Sequence, residues 1–381
     1  MKRPRVLLVT RNLPPLVGGM ERLNWHMADE LSRYAEVRVI GPAGAAAMAP
    51  AGVSVDEEPL RPLWKFLLRA QWRAWRVARS WRPDVVLAGS GLTAPVAWLA
   101  ARACGAHGAV YAHGLDLAVR HPVYRSLWWP VLRRMDRVIA NSRATAALAQ
   151  SMGVPPERIG IVHPGVDLPV TSVDAPAQPD FRAQHQLGQR PLLLSVGRLS
   201  TRKGLREFVS QALPHIVAAY PDVLLLVVGD APRDALHAQA QTPESIRAAA
   251  ELVGVAQNLR FLGTITDYRR LGEVYQTADV HVFPVRDLPG DPEGFGMVAV
   301  EAAAHGLPTV AFATGGVVDA VGEGQSGCLV PHGDYQAFAD AVVRVLAGQG
   351  LLREPSKAFA ARFAWSRFGE NLWPLMPTAH G

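Results

Sequence analysis

Residues 191–204 read PLLLSVGRLSTRKG. Leu192 to Val196 form a short apolar run bounded by a proline and a glycine, which predicts a buried strand. The text then turns basic, with Arg198 and Lys203 framed by Gly197 and Gly204. Immediately upstream, residues 168–189 read LPVTSVDAPAQPDFRAQHQLGQ. That stretch is polar, rich in proline and without periodicity, as expected of a linker. A strand that restarts after a linker implies two domains rather than one.

Working outward in both directions gives the same alternation of short apolar runs with longer helical patterns. Upstream the runs are RVLLVT, VRVIG, DVVLAG, GAVYAHG, RVIANS and IGIVHPG; downstream of PLLLSVGRL they are VLLLVVGD, NLRFLG, DVHVFP, PTVAFATG and GCLVP. Strands separated by helices predict parallel sheets with crossover connections, so the fold class is α/β with two Rossmann-like, doubly wound domains. The expected boundaries are 1–170 for the first domain, 171–189 for the linker, 190–350 for the second domain and 351–381 for a tail with helical apolar spacing and no strand. Open sheets of this kind bind ligands at the carboxyl ends of their strands. The expectation is a cleft between two such edges.

The bulk properties agree. A chain of 381 residues that is 49% hydrophobic exceeds what one core normally supports. Its formal net charge of +6 suits an anionic partner, and the lysines are confined to Lys2, Lys65, Lys203 and Lys357. Cys104 and Cys328 stand far apart with no CxxC, which supports neither a disulfide framework nor a zinc site and points to a reducing compartment. The opening MKRPRVLLVTRNLPP has an apolar run only from Val6 to Val9 and reads as a first strand rather than a leader. No run approaches the ~18 consecutive apolar residues of a membrane span, so the expected membrane contact is peripheral at most.

Four loops after strands carry candidate chemistry. Gly18 and Gly19 precede a helix and expose backbone amides to an anion, although a turn before a helix would look the same. No G-x-G-x-x-G follows this strand, which argues against a dinucleotide oxidoreductase. Arg198 and Lys203 are suited to clamp a diphosphate through charge-assisted hydrogen bonds; a solvated basic turn is the bland alternative. In GDPEGFGMVAVE (290–301), Glu293 precedes a helix and Glu301 sits eight residues later, some 12 Å on if fully helical. Gly294 and Gly296 allow close approach to the first-turn amides. Glu301 lies among Val298, Ala299, Val300, Ala302 and Ala303, and a carboxylate in such company needs a partner. His113 closes a strand and is followed by Gly114; it is one of 12 histidines, most of which have no such position.

Taken together, GGMER, AHGLD, ANS, VHPGVD, VGRLSTRKG, FLGTITDY and EGFGMVAVEAAAHGLPTVAFATGG resemble, in order and spacing, the retaining glycosyltransferases of family four, which have the GT-B fold. The resemblance covers essentially the whole chain. It implies that Arg198 and Lys203 hold a nucleotide diphosphate, that Glu301 binds ribose hydroxyls and that Glu293 meets the donor sugar near the amides of Phe295, Gly296 and Met297. It further implies that His113 lies beside the anomeric centre, that Gly19 faces the diphosphate, that Gly263, Thr264 and Ile265 meet the base, and that the tail crosses back onto the first domain. One departure is HPGVD, with His163 and Pro164 where the family often has Pro-Asn.

The expected activity is metal-independent transfer of a hexose, with retention, from a GDP- or UDP-linked donor to a glycan or lipid-linked acceptor. GDPEGFGMV resembles mannosyltransferases that use GDP-mannose, which weakly favours mannose. No Asp-x-Asp occurs, so leaving-group charge falls to Arg198, Lys203 and helix N-termini. No cofactor and no nucleic-acid partner are expected, and the alternative reading is a non-catalytic nucleotide-sugar-binding protein of the same fold.

Between Pro59 and Pro83 there is no acidic residue, yet Arg61, Lys65, Arg69, Arg73 and Arg76 make one helical stripe beside Trp64, Leu68, Trp72 and Trp75. A second cluster in 124–134 contains Trp128, Trp129, Arg133 and Arg134. Stretches 61–82 and 124–134 therefore suit an anionic membrane surface, and the expected location is cytoplasmic, peripheral at the inner face. The competing expectation is that the tryptophans pack on the sheet.

Overall fold

In the computed structural model, which describes residues 3–169, 181–231, 240–349 and 353–376, the chain divides into two compact units. One comprises Met1–Gly165 with Ala364–Gly381, the other Val166–Phe363. Residues 170–180 of the expected linker region, and 351–352 and 377–381 of the expected tail, lie outside the described residues.

The first unit is built on seven strands: β1 (Arg5–Val9), β2 (Glu36–Pro42), β3 (Ser54–Glu58), β4 (Val85–Ala88), β5 (His107–Ala112), β6 (Arg137–Ala140) and β7 (Ile159–Ile161). Their order is β3-β2-β1-β4-β5-β6-β7 with every pair parallel. The second unit has six: β8 (Leu192–Val196), β9 (Leu224–Val228), β10 (Leu259–Gly263), β11 (Val280–Phe283), β12 (Thr309–Phe312) and β13 (Gly327–Val330). They run β10-β9-β8-β11-β12-β13, again all parallel. Central strands such as β4, β9 and β11 are buried throughout, which is why they read as continuous apolar runs rather than alternating ones. Each sheet reverses its winding once, between β1 and β4 and between β8 and β11. Those reversals open crevices at the strands' carboxyl ends.

All the expected strands are present, and one was not anticipated. β3 reads SVDEE, a composition that disfavours a strand. Its acids are accommodated by cations on neighbouring elements. Arg38 of β2 reaches Asp56 at 2.8 Å, and Arg69 and Arg73 of α2 (Leu63–Trp81) both reach Glu58, which is only 1% exposed.

Among the other helices, those used below are α1 (Gly19–Ser32), α3 (Ala94–Cys104), α4 (Pro122–Leu132), α5 (Tyr268–Thr277), α6 (Met297–Ala304), α7 (Arg353–Ala361) and α8 (Trp365–Leu372). α2 buries Phe66, Ala70, Ala74 and Val77 in the first unit's core, where they meet Val86 of β4 and Ala97 of α3.

The expected boundaries shift in three places. The first stretch of the first unit ends at Gly165 rather than at residue 170. Residues 181–189 belong to the second unit, because Phe181 and Leu187 are buried against β9 and the end of α5. The tail is split rather than returning whole. α7 packs on α6, and Phe359 and Ala360 join a core with Val300 and Val321. Only from Ala364 does the chain return to the first unit. There the Trp365 ring stacks on His26 at 4.0 Å between centroids, Tyr34 stacks on Trp373, and Gly369 lies so close to Glu30 that a β-carbon would fall 2.7 Å from its carboxylate. Trp365 also covers Gly165, where a β-carbon would lie 2.3 Å from the indole.

Trp365 therefore seals α8 to α1. Trp365→Ala is expected to cost the first unit about 3 kcal/mol, as buried tryptophan truncations do, read as a lower urea midpoint. A midpoint equal to wild type would show that α8 is not stabilising that unit.

Candidate functional site

In the second unit the site grows from the reversal between β8 and β11. β8 ends at Val196, and the chain passes through Gly197 and Arg198 into a tight turn at Thr201–Lys203 closed by Gly204. Gly204 has φ +68°, and a β-carbon there would sit 2.2 Å from the Pro284 carbonyl, so only glycine lets this turn lie against the end of β11. The turn is held from the other side too: the Arg286 amide donates to the Arg202 carbonyl at 2.8 Å, and the Arg286 side chain binds Glu207.

This packing brings the β8 and β11 loops into direct ionic contact. Lys203 Nζ donates to Glu293 Oε2 at 2.7 Å, and Arg202 Nη1 donates to the same oxygen. Arg202 Nε also lies 3.1 Å from Asp291 Oδ1. Burial alone pushes the Glu293 carboxyl up; the adjacent Arg202 and Lys203 outweigh it and bring its pKa down to about 2. Burial likewise draws Lys203 below the usual lysine range, against the opposing pull of Glu293. The Lys203 ammonium also lies 4.6 Å from the centre of the Phe283 ring. Arg198 is exposed on the same loop and adds to the positive field on Glu293.

Residues 294–297, where helix-entry amides are expected, lie in a turn that packs on Gly316. Gly316 donates to the Glu293 carbonyl at 2.9 Å, and a β-carbon on Gly316 would fall 2.0 Å from the Gly294 carbonyl. Phe295 turns its ring into the core beside Phe363, leaving its backbone in the loop. Gly296 has φ +98° and precedes Met297, the first residue of α6. One turn further, Glu301 has the partner its apolar surroundings demand: Tyr275 of α5 donates its hydroxyl to Oε2 at 3.0 Å. Tyr275 is buried and stacks on His305, whose Nδ1 lies 2.9 Å from the Glu301 carbonyl. Thr264 and Ile265, beyond Gly263 at the end of β10, line a cavity of about 250 Å³ with Phe181, His185, Asp267 and Arg270.

The first unit carries its own cluster at the ends of β1, β4 and β5. Gly18 is the residue before α1 and Gly19 its first. Glu21, in the first turn, accepts from Asn12 Nδ2 at 2.7 Å, and a β-carbon on Gly18 would fall 2.3 Å from its other oxygen. His113 follows β5. Its amide donates to Asp116 Oδ1 at 3.0 Å, and Asp116 Oδ2 accepts from the Gly91 amide. The ring Nε2 lies 2.9 Å from the Gly89 carbonyl. A carbonyl only accepts, so this nitrogen carries hydrogen and Nδ1 is the ring's acceptor in the neutral form. His163, from the departing HPGVD stretch, contacts the Asn141 carbonyl at 3.1 Å.

Thus the structure joins Lys203 to Glu293 and gives Glu301 a buried partner, while Arg198 makes no hydrogen bond to Glu293, and Thr264 and Ile265 line the cavity beyond β10. Sequence reasoning missed Arg202, Asp291, Tyr275 and Asp116. Arg202 sits beside Lys203 and could have been found as a third cation. Tyr275 is 26 residues from Glu301, with no motif to link them.

The family profile described as Glycosyltransferase Family 4 matches residues 17–169, and that described as Glycosyl transferases group 1 matches 190–348. A GDP-mannose-dependent alpha-(1-6)-phosphatidylinositol monomannoside mannosyltransferase of Mycolicibacterium smegmatis is 30% identical, over 97% of this chain and 94% of its own. A D-inositol 3-phosphate glycosyltransferase of Segniliparus rotundus is 31% identical over 77% of this chain and 66% of its own. Among solved structures, Anabaena Alr3699/HepE in complex with UDP superposes with a TM-score of 0.75 at 20% identity, covering 97% of this chain and 98% of that one. WaaG, a glycosyltransferase involved in lipopolysaccharide biosynthesis, gives 0.70 at 19%, covering 99% and 100%.

Glu293→Gln would leave two buried cations without their shared anion, and is expected to cost the second unit about 3 kcal/mol. Inorganic pyrophosphate should then raise the variant's thermal midpoint more than the wild type's, since it supplies the missing charge. Equal shifts would mean that Glu293 is not the counter-ion of this site.

Proposed function

Because this chain belongs to glycosyltransferase family four and has the GT-B fold, we propose that it transfers a hexose from a nucleotide-diphosphate sugar, without a metal ion and with retention at the anomeric carbon. The observation that carries this reading is the ionic cluster of Lys203, Arg202 and Glu293 at the reversal of the second sheet. A diphosphate leaving group needs fixed positive charge where its own charge develops. Lys203 and Arg202 are held there by Glu293, and Arg198 adds a third cation at the loop's exposed edge.

In this reading Lys203 and Arg198 grip the diphosphate, helped by the amides of Gly294 to Met297. Glu301 accepts hydrogen bonds from the ribose hydroxyls, with Tyr275 fixing its carboxylate. Glu293, ionised down to strongly acidic pH because its pKa is about 2, accepts from hydroxyls of the donor sugar. The base meets Gly263, Thr264 and Ile265. In the first unit, His113 offers Nδ1 to a sugar hydroxyl, its other nitrogen being engaged by Gly89. No side chain is assigned as nucleophile; front-face displacement uses the leaving group's own oxygen to take the acceptor's proton.

The favoured donor is GDP-mannose, on the GDPEGFGMV wording and on the name of the mycobacterial relative. The favoured acceptor is a glycan or a lipid-linked saccharide in surface polysaccharide or glycolipid synthesis. The enzyme is placed in the cytoplasm, working peripherally at the inner face of the membrane.

Thermal-shift screening of UDP, GDP, ADP and their sugars identifies the donor, because a ligand of the folded state raises stability with its affinity. Donor turnover with that sugar should persist in excess EDTA, and the anomeric configuration of the product should match the donor by NMR. Loss of activity that Mg²⁺ restores would overturn metal independence; tight binding without turnover or transfer would favour the non-catalytic alternative. The two glutamates should also separate. Glu301→Ala is expected to weaken nucleotide binding by about 10- to 100-fold, the worth of one or two hydrogen bonds to a charged group. Glu293→Gln should lower kcat by a comparable factor or more without weakening nucleotide binding. Equal losses of nucleotide affinity would undo the division of roles.

A further inference from the structure

α2 carries an apolar face that no other described part of its unit covers. Trp64 and Leu68 are each 64% exposed, Trp72 is 53% and Trp75 45% exposed. At about 100° per residue these four fall within an arc of about 80°, on the side of the helix turned away from Phe66, Ala70 and Ala74. Three large indoles held in solvent along one helix are costly to leave wet and are what interaction sites look like.

The charges beside this arc decide what it meets. α2 contains no acidic residue. Of its cations, Arg69 and Arg73 are spoken for: both bind the buried Glu58, and Arg73 also lies 3.6 Å from Asp56. They anchor the helix to β3, which modifies the five-cation stripe expected from the sequence. Lys65, Arg76 and Arg79 lie on the flank next to the indoles. The Arg76 guanidinium sits 4.6 Å from the Trp72 ring centre, and the Arg79 guanidinium 5.2 Å from that of Trp75. An indole capped by a guanidinium has an apolar body and a cationic end, which suits the boundary between acyl chains and phosphates.

The second expected stretch behaves otherwise. In α4, Trp128 donates its indole nitrogen to the Leu92 carbonyl at 2.9 Å, Trp129 packs against the first unit's core, and Arg133 binds the Met152 carbonyl. Those groups hold the fold.

We propose that the exposed face of α2 docks this protein on an anionic bilayer, with Trp64, Leu68, Trp72 and Trp75 entering the interface and Lys65, Arg76 and Arg79 meeting lipid phosphates. This names the membrane contact of the peripheral enzyme described above, and rests on that reading only for its biological setting. The occupant is a lipid surface rather than a protein because the face combines unpaired-sign charge with long aromatic side chains and offers no acid to a basic or mixed partner. An interface-lying helix of this kind buries its apolar side some 5–10 Å into the headgroup region.

The test is flotation of the full chain with vesicles of phosphatidylcholine alone and with phosphatidylglycerol as one third of the lipid. Binding is expected only to the anionic vesicles and should weaken as salt is raised. Replacing Lys65, Arg76 and Arg79 together by Gln should reduce the partition coefficient on the order of 100-fold, about fivefold per cation. Trp72→Ser with Trp75→Ser should abolish the salt-resistant fraction. Arg73→Gln, by contrast, should lower thermal stability and leave binding within about twofold. Absence of binding to both vesicles, or binding indifferent to the triple variant, would overturn the proposal. So would a concentration-dependent dimer that the two tryptophan changes dissolve, since the face would then belong to a second copy. Flotation needs no turnover, and the triple variant should keep wild-type transfer to a short saccharide acceptor, so this proposal and the assigned activity can fail independently.

Discussion

A carboxylate taken out of water is tolerated only when charge and hydrogen bonds replace its hydration. Glu293 meets that condition through one oxygen that receives both Lys203 and Arg202. The two cations come from the loop after β8 and the acid from the loop after β11, so the ion cluster ties together the two strands between which the second sheet reverses. Much of the local backbone follows from this tie. Gly204 must be glycine for the cationic turn to lie against Pro284, and Gly316 must be glycine for its turn to pass beneath the Glu293–Phe295 segment. The same pairing balances charge: Glu293 offsets the two cations that the turn after β8 would otherwise bury alone.

The fold was largely legible because parallel strands buried on both faces leave continuous apolar runs, and each run from RVLLVT to GCLVP became a strand. β3 was illegible for the opposite reason. Its Asp56 and Glu58 are stable only beside Arg38, Arg69 and Arg73, and those partners come from other elements. The candidate site shows the same division. Lys203 and Glu293 were each visible as unusual residues at the carboxyl end of a strand. That they touch was not, since they are 90 residues apart and nothing local encodes the contact. Glu301 illustrates what a local rule achieves: an acid among alanines and valines signals a partner, but only the packing of α5 on the sheet identifies it as Tyr275.

Arginine use in the first unit carries a further lesson about charge counted from sequence. The excess of +6 invites a reading of every arginine as part of a basic surface. Around α2 the structure sorts them instead by partner. Those that face β3 neutralise buried acids, and those that face outward lie over indoles. The first set fixes the rotation of the helix about its axis, and that rotation is what leaves the second set, with the tryptophans, in solvent. Removing Glu58 would thus disturb the exposed face without touching it.

His113 shows how far backbone geometry alone can specify a side chain's role. Its amide and the Gly91 amide both bind Asp116, which draws the end of β5 towards the turn after β4. That same approach sets the Gly89 carbonyl against Nε2. Since a carbonyl accepts only a hydrogen, the neutral ring is left with its lone pair on Nδ1, and a hydroxyl that meets it must donate. A histidine held this way favours a ligand rich in hydroxyls over one presenting a carbonyl. Asp116 fixes the backbone and Gly89 the ring, so the preference of this side chain for a donor is set within the first unit itself.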